Sequence, residues 1–399
     1  MEGKCKQEIE YRTNNALQII IDWSKISKLQ FNPIKTQLLS FNKKYQDLNI
    51  HMNEIFIPIS SSIKILGINI GNKLNFRTHL NEIVKKTTMI THMIMRTLNT
   101  KWKYKEIVHL IYQYIIVPIV TYGAGIWGHV VSKKYAKKSL RSIQRKFLLK
   151  YIQGYTTIST NATIFLSKET PLDLIVYKRR MISNTKRNLS IPGLPIFYIP
   201  NNQNHDKNHP ADLSFSSIHN NTGVRSRNLL LDNDRKVPYT DDNGYQHYDL
   251  KSVKKVLNLM IQDTWESEFF EDKQGSKTKK FFPTFNHYDI FIKSNQLTPE
   301  VTQVLTGHGC SNSYLKWMKI KESEKCPCGA KVQDFFHLIE TCPRWYNERK
   351  KYKEKLSQFN IDINEYPKIM TNKEISNAFV NLATTIVSNL NLSNMVDHN

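Results

Sequence analysis

Three of the five cysteines of this 399-residue chain and one of its histidines fall between positions 326 and 342. Their pattern is Cys326-Pro327-Cys328, eight residues, His337, four residues, Cys342. Three thiolates and a neutral imidazole are the donors of a tetrahedral Zn2+ site, and four protein ligands leave no open position for water or substrate. The expected cofactor is therefore a structural Zn2+ held by Cys326, Cys328, His337 and Cys342, folding a stretch too short for a core of its own. Gly329 permits the positive-φ turn that brings two sulfurs onto one ion. Pro343 stops a helix suggested by Asp334 to Thr341, placing His337 on that helix and Cys342 at its end. The competing reading is ordinary burial of a few thiols and a core histidine beside Phe335, Phe336, Leu338 and Ile339. The C-x-C-G…H…C spacing is far more restrictive than a lone C-x-x-C and favours the metal. Cys5 and Cys310 have no obvious partners. The odd cysteine count and a polar stretch from Met1 to Tyr11 predict a reducing intracellular compartment, nucleus or cytoplasm, and not secretion.

A second kind of chemistry is suggested by charge. The formal net charge is +23, and it is unevenly placed: 31 Lys and Arg face 10 Asp and Glu up to Ser190, against 26 and 24 beyond it. No acidic residue lies between Glu106 and Glu169. Such a stretch repels itself unless a polyanion or counterions offset it, and nucleic acid is the simplest such partner. Within it Lys133, Lys137, Arg141 and Arg145 recur every four residues with Lys134 and Lys138 alongside, opposite an apolar face of Ala136, Leu140, Ile143, Phe147 and Tyr151. A solvated helix face usually mixes signs and gains pairs four residues apart; none is available here, so phosphate contact is favoured. Contacts of this kind position a duplex without reading its sequence.

The elements carrying these groups are mostly helical. Apolar spacing predicts a helix over Gln7 to Lys28, then strands at Leu29 to Phe31, Gln37 to Phe41 and Ile63 to Ile70, the last containing Leu66-Gly67. Helix is expected from His79 for about seventy residues, with breaks near Asn99 and at Thr121 to Gly128. Residues 191–249 scatter Pro192, Pro195, Pro200, Pro210 and Pro238 among Asn, His, Ser and Asp, and read as a linker. Helix resumes at Leu250 to Phe270, a loop is expected to carry Lys277 to Lys280, a further helical segment broken at Thr306-Gly307-His308-Gly309 leads into the metal-ligand segment, and Arg344 to Leu392 reads as charged then amphipathic helices. No apolar run reaches the ~20 residues needed to span a bilayer; Leu110 to Val120, interrupted by Pro118, reads as a buried helix. No membrane association is expected. Hydrophobic residues make up 40% of the chain and suffice for sizeable cores.

The ordered residues resemble the C-terminal part of the polyprotein of Jockey-like non-LTR retrotransposons, in which a reverse transcriptase is followed by an optional RNase H domain and a cysteine–histidine segment. The markers begin with Trp23, Phe31-Asn32-Pro33-Ile34-Lys35-Thr36, Leu66-Gly67-Ile68 and His79, then Tyr112, Pro118, Tyr122-Gly123, Trp127 and Gln144. They continue with Gly154-Tyr155-Thr156-Thr157, Pro171-Leu172, Trp265, Phe281-Phe282-Pro283, Leu305-Thr306-Gly307-His308-Gly309, Tyr314-Leu315, the four metal ligands and Arg349. The resemblance implies an α+β, mostly α-helical chain. It would comprise a palm remnant with a small sheet (1–78), a helical thumb-like basic domain (79–190), a linker or degenerate insert (191–249) and a helical C-terminal domain with the zinc site (250–399). It also implies that Lys35 is a motif D-like accessory lysine and that Leu66 and Gly67 belong to a primer-grip-like hairpin. The partner would be RNA, DNA or their hybrid.

One departure matters for activity. A polymerase of this family holds Mg2+ with a Tyr-x-Asp-Asp hairpin, which in an intact parent would stand before Glu2. Tyr239-Thr240-Asp241-Asp242 matches by letter, but it follows Pro238, precedes Asn243-Gly244 and lacks apolar flanks, so a turn or linker is the better reading. It also leaves only about twenty residues before Trp265, too few for an RNase H sheet. The expectation is a fragment of an RNA-directed DNA polymerase that binds nucleic acid and is inactive alone. The alternative is a host-adopted, zinc-stabilised nucleic-acid-binding or adaptor protein.

Overall fold

The apolar periodicity of the first seventy residues resolves into one long helix and three short strand pairs. The computed structural model describes residues 2–42, 47–97, 105–187, 239–240, 246–247 and 250–396. These are mostly helical and fall into two compact units: Met1–Thr100 with Val130–Ile143, and Lys101–His129 with Gln144–Asn399.

In the first unit the helix Lys6–Ile26 lays Leu17 and Ile21 against Met52, Ile57 and Leu38. Leu38–Leu39 pairs in parallel with Ile59–Ser60, and His51–Met52 runs antiparallel to Ile55–Phe56. Ser62–Ile65 and Ile68–Gly71 form an antiparallel hairpin in which Ile65 faces Ile68, so Leu66 and Gly67 are its two-residue turn. Their φ angles of 46° and 84° are those of a type I′ turn, whose twist matches the flanking strands. The segment expected as a strand at Leu29 to Phe31 has no ladder partner, and Leu29 and Phe31 are exposed. The Asn75 side chain accepts from the Arg77 amide at the start of the helix Arg77–Thr97, which packs on Ile68–Gly71. Tyr135 donates its hydroxyl to the Asn75 carbonyl at 2.6 Å, with the Arg77 guanidinium 4.5 Å over its ring.

The second unit is built around aromatic side chains. Phe165 stacks on Phe269 at 4.3 Å, and Phe281, Phe282, Tyr288, Phe291, Tyr366 and Phe379 are buried around them. Burial of one such ring contributes about 2–3 kcal/mol. The C-terminal helix Lys373–Val396 closes this core over Pro299–Thr306, Tyr346–Gln358 and Tyr366–Thr371. The Gln144 amide, fully buried, donates to Thr170 O and accepts from the Leu172 amide, fixing the entry to the helix Leu172–Lys186. Around Pro118 the ladder opens into a π-turn at Tyr112–Ile116, since proline offers no N–H and crowds the carbonyl four residues back. That helix buries Tyr112, Ile116 and Val120 but leaves Leu110, Tyr114 and Ile115 exposed, so only one face of the apolar run is covered.

Arg77–Thr97 stays with the strands it packs on, and Ile152, Ile158, Ala162, Phe165 and Leu166 share one buried cluster with residues from Phe269 to Leu390. Of the expected linker, the structure describes only Tyr239–Thr240 paired antiparallel with Gln246–His247; Asp241 and Asp242 lie outside the described residues. Among the described residues no single helix is long and apolar enough to cross a membrane. One pair, Glu106–Thr121 and Ala124–Ser132, meets the length and composition together but is bent by 56°.

Candidate metal centre and nucleic-acid interface

The four sequence-predicted metal ligands converge. Their donor atoms all lie within 4.8 Å of one another, with Cys326 Sγ 3.8 Å from Cys342 Sγ and Cys328 Sγ 3.2 Å from His337 Nε2. Two sulfurs on a tetrahedral Zn2+ with ordinary bonds stand about 3.8 Å apart, whereas a disulfide needs about 2 Å. The donor chemistry and the spacing both fit a metal ion such as zinc.

Local structure explains the convergence. The Gly329 amide bonds to Cys326 O and the Cys326 amide to Ala330 O, closing a tight turn; Gly329 at φ 94° adopts a conformation that L side chains rarely take. Asp334 caps the helix Phe335–Glu340 by accepting from the His337 amide at 2.8 Å. One turn later the Thr341 and Cys342 amides both bond to His337 O, bringing Cys342 back beside the imidazole. Thr341 Oγ1 lies 3.0 Å from His337 Nδ1, a contact that orients the ring with Nε2 toward the sulfurs. Gln333 Nε2 reaches Cys326 Sγ at 3.6 Å. Burial pushes the Cys342 thiol up to about 12, while the Ala330 amide holds Cys328 below the usual thiol value. Metal binding at this site must therefore release protons, and it weakens in acid.

The metal segment is tied to the aromatic core. Phe336 stacks on Phe281 at 5.7 Å and meets Tyr366 edge-on, with Lys280 Nζ 3.9 Å over its ring. Tyr366 donates its hydroxyl to Glu340 at 2.5 Å. The buried Arg349 donates Nε to Ile339 O at 2.8 Å and Nη2 to Leu338 O at 3.3 Å and to Cys342 O. A guanidinium thus caps the helix that carries His337. No spacing rule pointed to Arg349; its place among the resemblance markers was the only signal.

The cationic helix runs over Lys134–Tyr151 without an acidic residue. Lys133, Lys134, Lys138, Lys146 and Lys150 are exposed, whereas Lys137, Arg141 and Arg145 are half-buried. The exposed row is thus Lys134, Lys138, Lys146 and Lys150, interrupted by Ser142, one position round from the expected row. Gln144 and Leu148 are also buried, which widens the inner face toward Lys137, Arg141 and Arg145. Arg145 is engaged internally, donating to Thr156 O and Thr160 Oγ1. The two-unit partition falls within this helix, between Ile143 and Gln144. Of the other predicted residues, Lys35 is exposed at the end of the 3-10 turn Pro33–Lys35, and Leu66 is 85% exposed at its hairpin tip.

The chain is 20% identical over 361 residues to a retrovirus-related Pol polyprotein from the type-1 retrotransposable element R1 2 of Nasonia vitripennis, covering 87% of this chain and 76% of that relative. It is 22% identical over 356 residues to the R1 Pol polyprotein of Bradysia coprophila, of which the match spans 31%. It is 23% identical over 297 residues to a putative 115 kDa protein in the element R1DM of Drosophila melanogaster, of which the match spans 25%. No protein-family model matches the chain. No solved structure matches it either. The relatives support a non-LTR retrotransposon origin for this protein.

Proposed function

We propose that this retrotransposon-derived chain binds nucleic acid by its phosphate backbone, with the Lys134–Tyr151 helix as the gripping element and a structural zinc pinning its C-terminal region. The exposed lysine row carries the reading. Side chains four residues apart rise about 6 Å per step, so Lys134 to Lys150 present positive charge over roughly 24 Å. A row of one sign along one exposed helix face suits a polyanion of any sequence, as a polymerase product duplex requires. That the relatives are named Pol polyproteins agrees with such a partner.

In this reading residues 1–78 derive from a reverse transcriptase palm and residues 79–190 from its thumb, as in Jockey-like elements. Leu66 and Gly67 occupy a primer-grip-like turn and Lys35 the place of an accessory lysine. Cys326, Cys328, His337 and Cys342 would hold Zn2+, which when bound cross-links the 326–329 turn to the helix Phe335–Glu340. Four protein donors leave the ion no reacting position, so its role is structural. The Tyr-x-Asp-Asp at 239–242 is the only one in the sequence, and no polymerase activity is assigned to this chain alone.

The test is equilibrium binding of the zinc-loaded chain to two RNA–DNA hybrids of unrelated sequence. Comparable affinities are expected. A preference of more than about a hundredfold for one sequence would overturn backbone recognition, since single base contacts give about 1–3 kcal/mol each. Addition of Mg2+, a primed template and nucleotides should give no extension; extension would refute inactivity.

A further inference from the structure

A second site of a different kind lies in the second unit, apart from the metal ligands and the exposed lysine row. The turns at Gly154 to Thr157 and Thr306 to Gly309 are far apart in sequence but bonded to each other. Thr157 Oγ1 lies 2.9 Å from His308 Nδ1 and 2.7 Å from Tyr314 Oη, and Thr302 Oγ1 donates to Ile152 O at 2.7 Å. Beside this junction is a cleft of about 330 Å3, at the small end of ligand-sized cavities.

Its walls combine three features. The first is aromatic: Trp317 is 64% exposed at the rim, its ring 5.8 Å from both His308 and Tyr314, and Tyr314 is itself fixed by Thr157. A lone exposed tryptophan is unremarkable, but this one is braced edge-on by His308 with most of its surface left open. The second is cationic: Lys277 lines the cleft, and among the described residues it has no carboxylate partner. Burial lowers the His308 pKa, and the charges of Lys277 and Arg145 lower it further, which marks the cleft as electropositive. The third is bare backbone: Gly307 at φ 73° lies under Lys277, where a Cβ would come within 2.2 Å of Lys277 Cδ.

We propose that this cleft takes one unpaired nucleotide of a single-stranded nucleic acid, the base stacking on Trp317 and the adjoining phosphate meeting Lys277. Stacking is sequence-tolerant because every base has a π-face, and a single cation beside it tracks the backbone. The site would hold template or target strand on either side of a duplex. It rests on the reading of the chain as nucleic-acid-binding but uses none of the exposed lysines Lys134, Lys138, Lys146 and Lys150.

The experiment is fluorescence anisotropy of the full zinc-loaded chain with a labelled twelve-nucleotide oligo-U or oligo-dT strand, and in parallel with a labelled hybrid duplex. Trp317→Ala should weaken single-strand binding about tenfold, the equivalent of stacking one base, with Trp317→Phe largely retaining it. Lys277→Gln should reduce the salt slope by about one unit. Duplex binding should be unchanged in all three, and because Trp317 is exposed its variants should melt with the wild type. Oligo-U bound more tightly than oligo-dT identifies RNA as the strand, and the reverse identifies DNA. If Trp317→Ala binds the single strand like wild type while Lys134→Gln/Lys138→Gln/Lys146→Gln loses the duplex, the cleft proposal is overturned and the lysine helix stands. If the wild-type chain binds neither strand nor duplex, both are overturned.

Discussion

Arg349 offers a sharp test of how the metal segment is held. Its guanidinium is 5% exposed and donates to three carbonyls, those of Leu338, Ile339 and Cys342, at the end of the helix that carries His337. Arg349→Met keeps much of the aliphatic volume but leaves the Leu338 and Ile339 carbonyls in a dry place without the guanidinium and Cys342 O with only the Trp345 amide, at a cost of about 1–2 kcal/mol for each lost bond and about 3–5 kcal/mol together. Electrostatics add to this: three thiolates on a dication sum to a charge of −1, which the buried guanidinium balances. For a domain of about 200 residues the loss corresponds to a melting temperature lower by roughly 6–20 °C. The assay is thermal unfolding followed by circular dichroism, together with zinc competition against a chromophoric chelator. Arg349→Met should melt lower and give up zinc more readily. Arg349→Lys, which keeps the charge but not the planar fork, should fall between it and wild type. A methionine variant melting within about 2 °C of wild type with equal zinc affinity would refute the reasoning.

Other expectations follow from single sites. Cys328→Ser, or removal of the metal by a chelator, should abolish stoichiometric zinc binding and lower the near-ultraviolet dichroism of the aromatic core through Phe336 and Tyr366; an unchanged spectrum would exclude a structural ion. Leu66 is exposed with a φ of 46°, so Leu66→Asn should stabilise the first unit by about 1 kcal/mol in urea melts. If the turn grips nucleic acid through that leucine, the same variant should bind more weakly; a variant neither stabilised nor weakened would argue against both. Burial first, then the charges of Lys277 and Arg145, depress the His308 pKa, so the folded state favours the neutral ring. The unfolded chain takes up that proton near pH 6.5. The resulting stability is present above that pH and is lost as the pH falls through it toward the depressed folded value. The urea midpoint should therefore drop more steeply between pH 7 and pH 5 in wild type than in His308→Gln, and parallel profiles would remove His308 from the argument.

What could be read in the sequence was local. The metal quartet lies within one turn and one short helix, and Gly329, Asp334 and Pro343 fix both, so type and spacing were enough to bring the four side chains together. The helices Lys6–Ile26 and Leu250–Glu271 likewise came from period, whereas Ile63 to Ile70 read as one strand by period and only the resemblance implied the hairpin that turns at Leu66-Gly67. The exposed face of the lysine helix did not, because burial of Gln144 depends on Thr170 and Leu172, which no pattern around residue 144 encodes. Long-range packing was hidden for the same reason: Phe165 stacks on Phe269, more than a hundred residues away. The cleft at Trp317 was equally hidden, since Thr157 and Tyr314 meet only in the fold.

The lysine row is tested most directly by the slope of log affinity against log salt for a short RNA–DNA hybrid bound to the zinc-loaded chain. With each phosphate contact contributing about 0.7–0.9, four to five exposed lysines should give a slope of roughly −3 to −4.5. Lys134→Gln/Lys138→Gln/Lys146→Gln should make it shallower by about 2–3 units. A slope near zero, or a triple variant with the wild-type slope, would contradict the assignment of this helix as the element that holds nucleic acid.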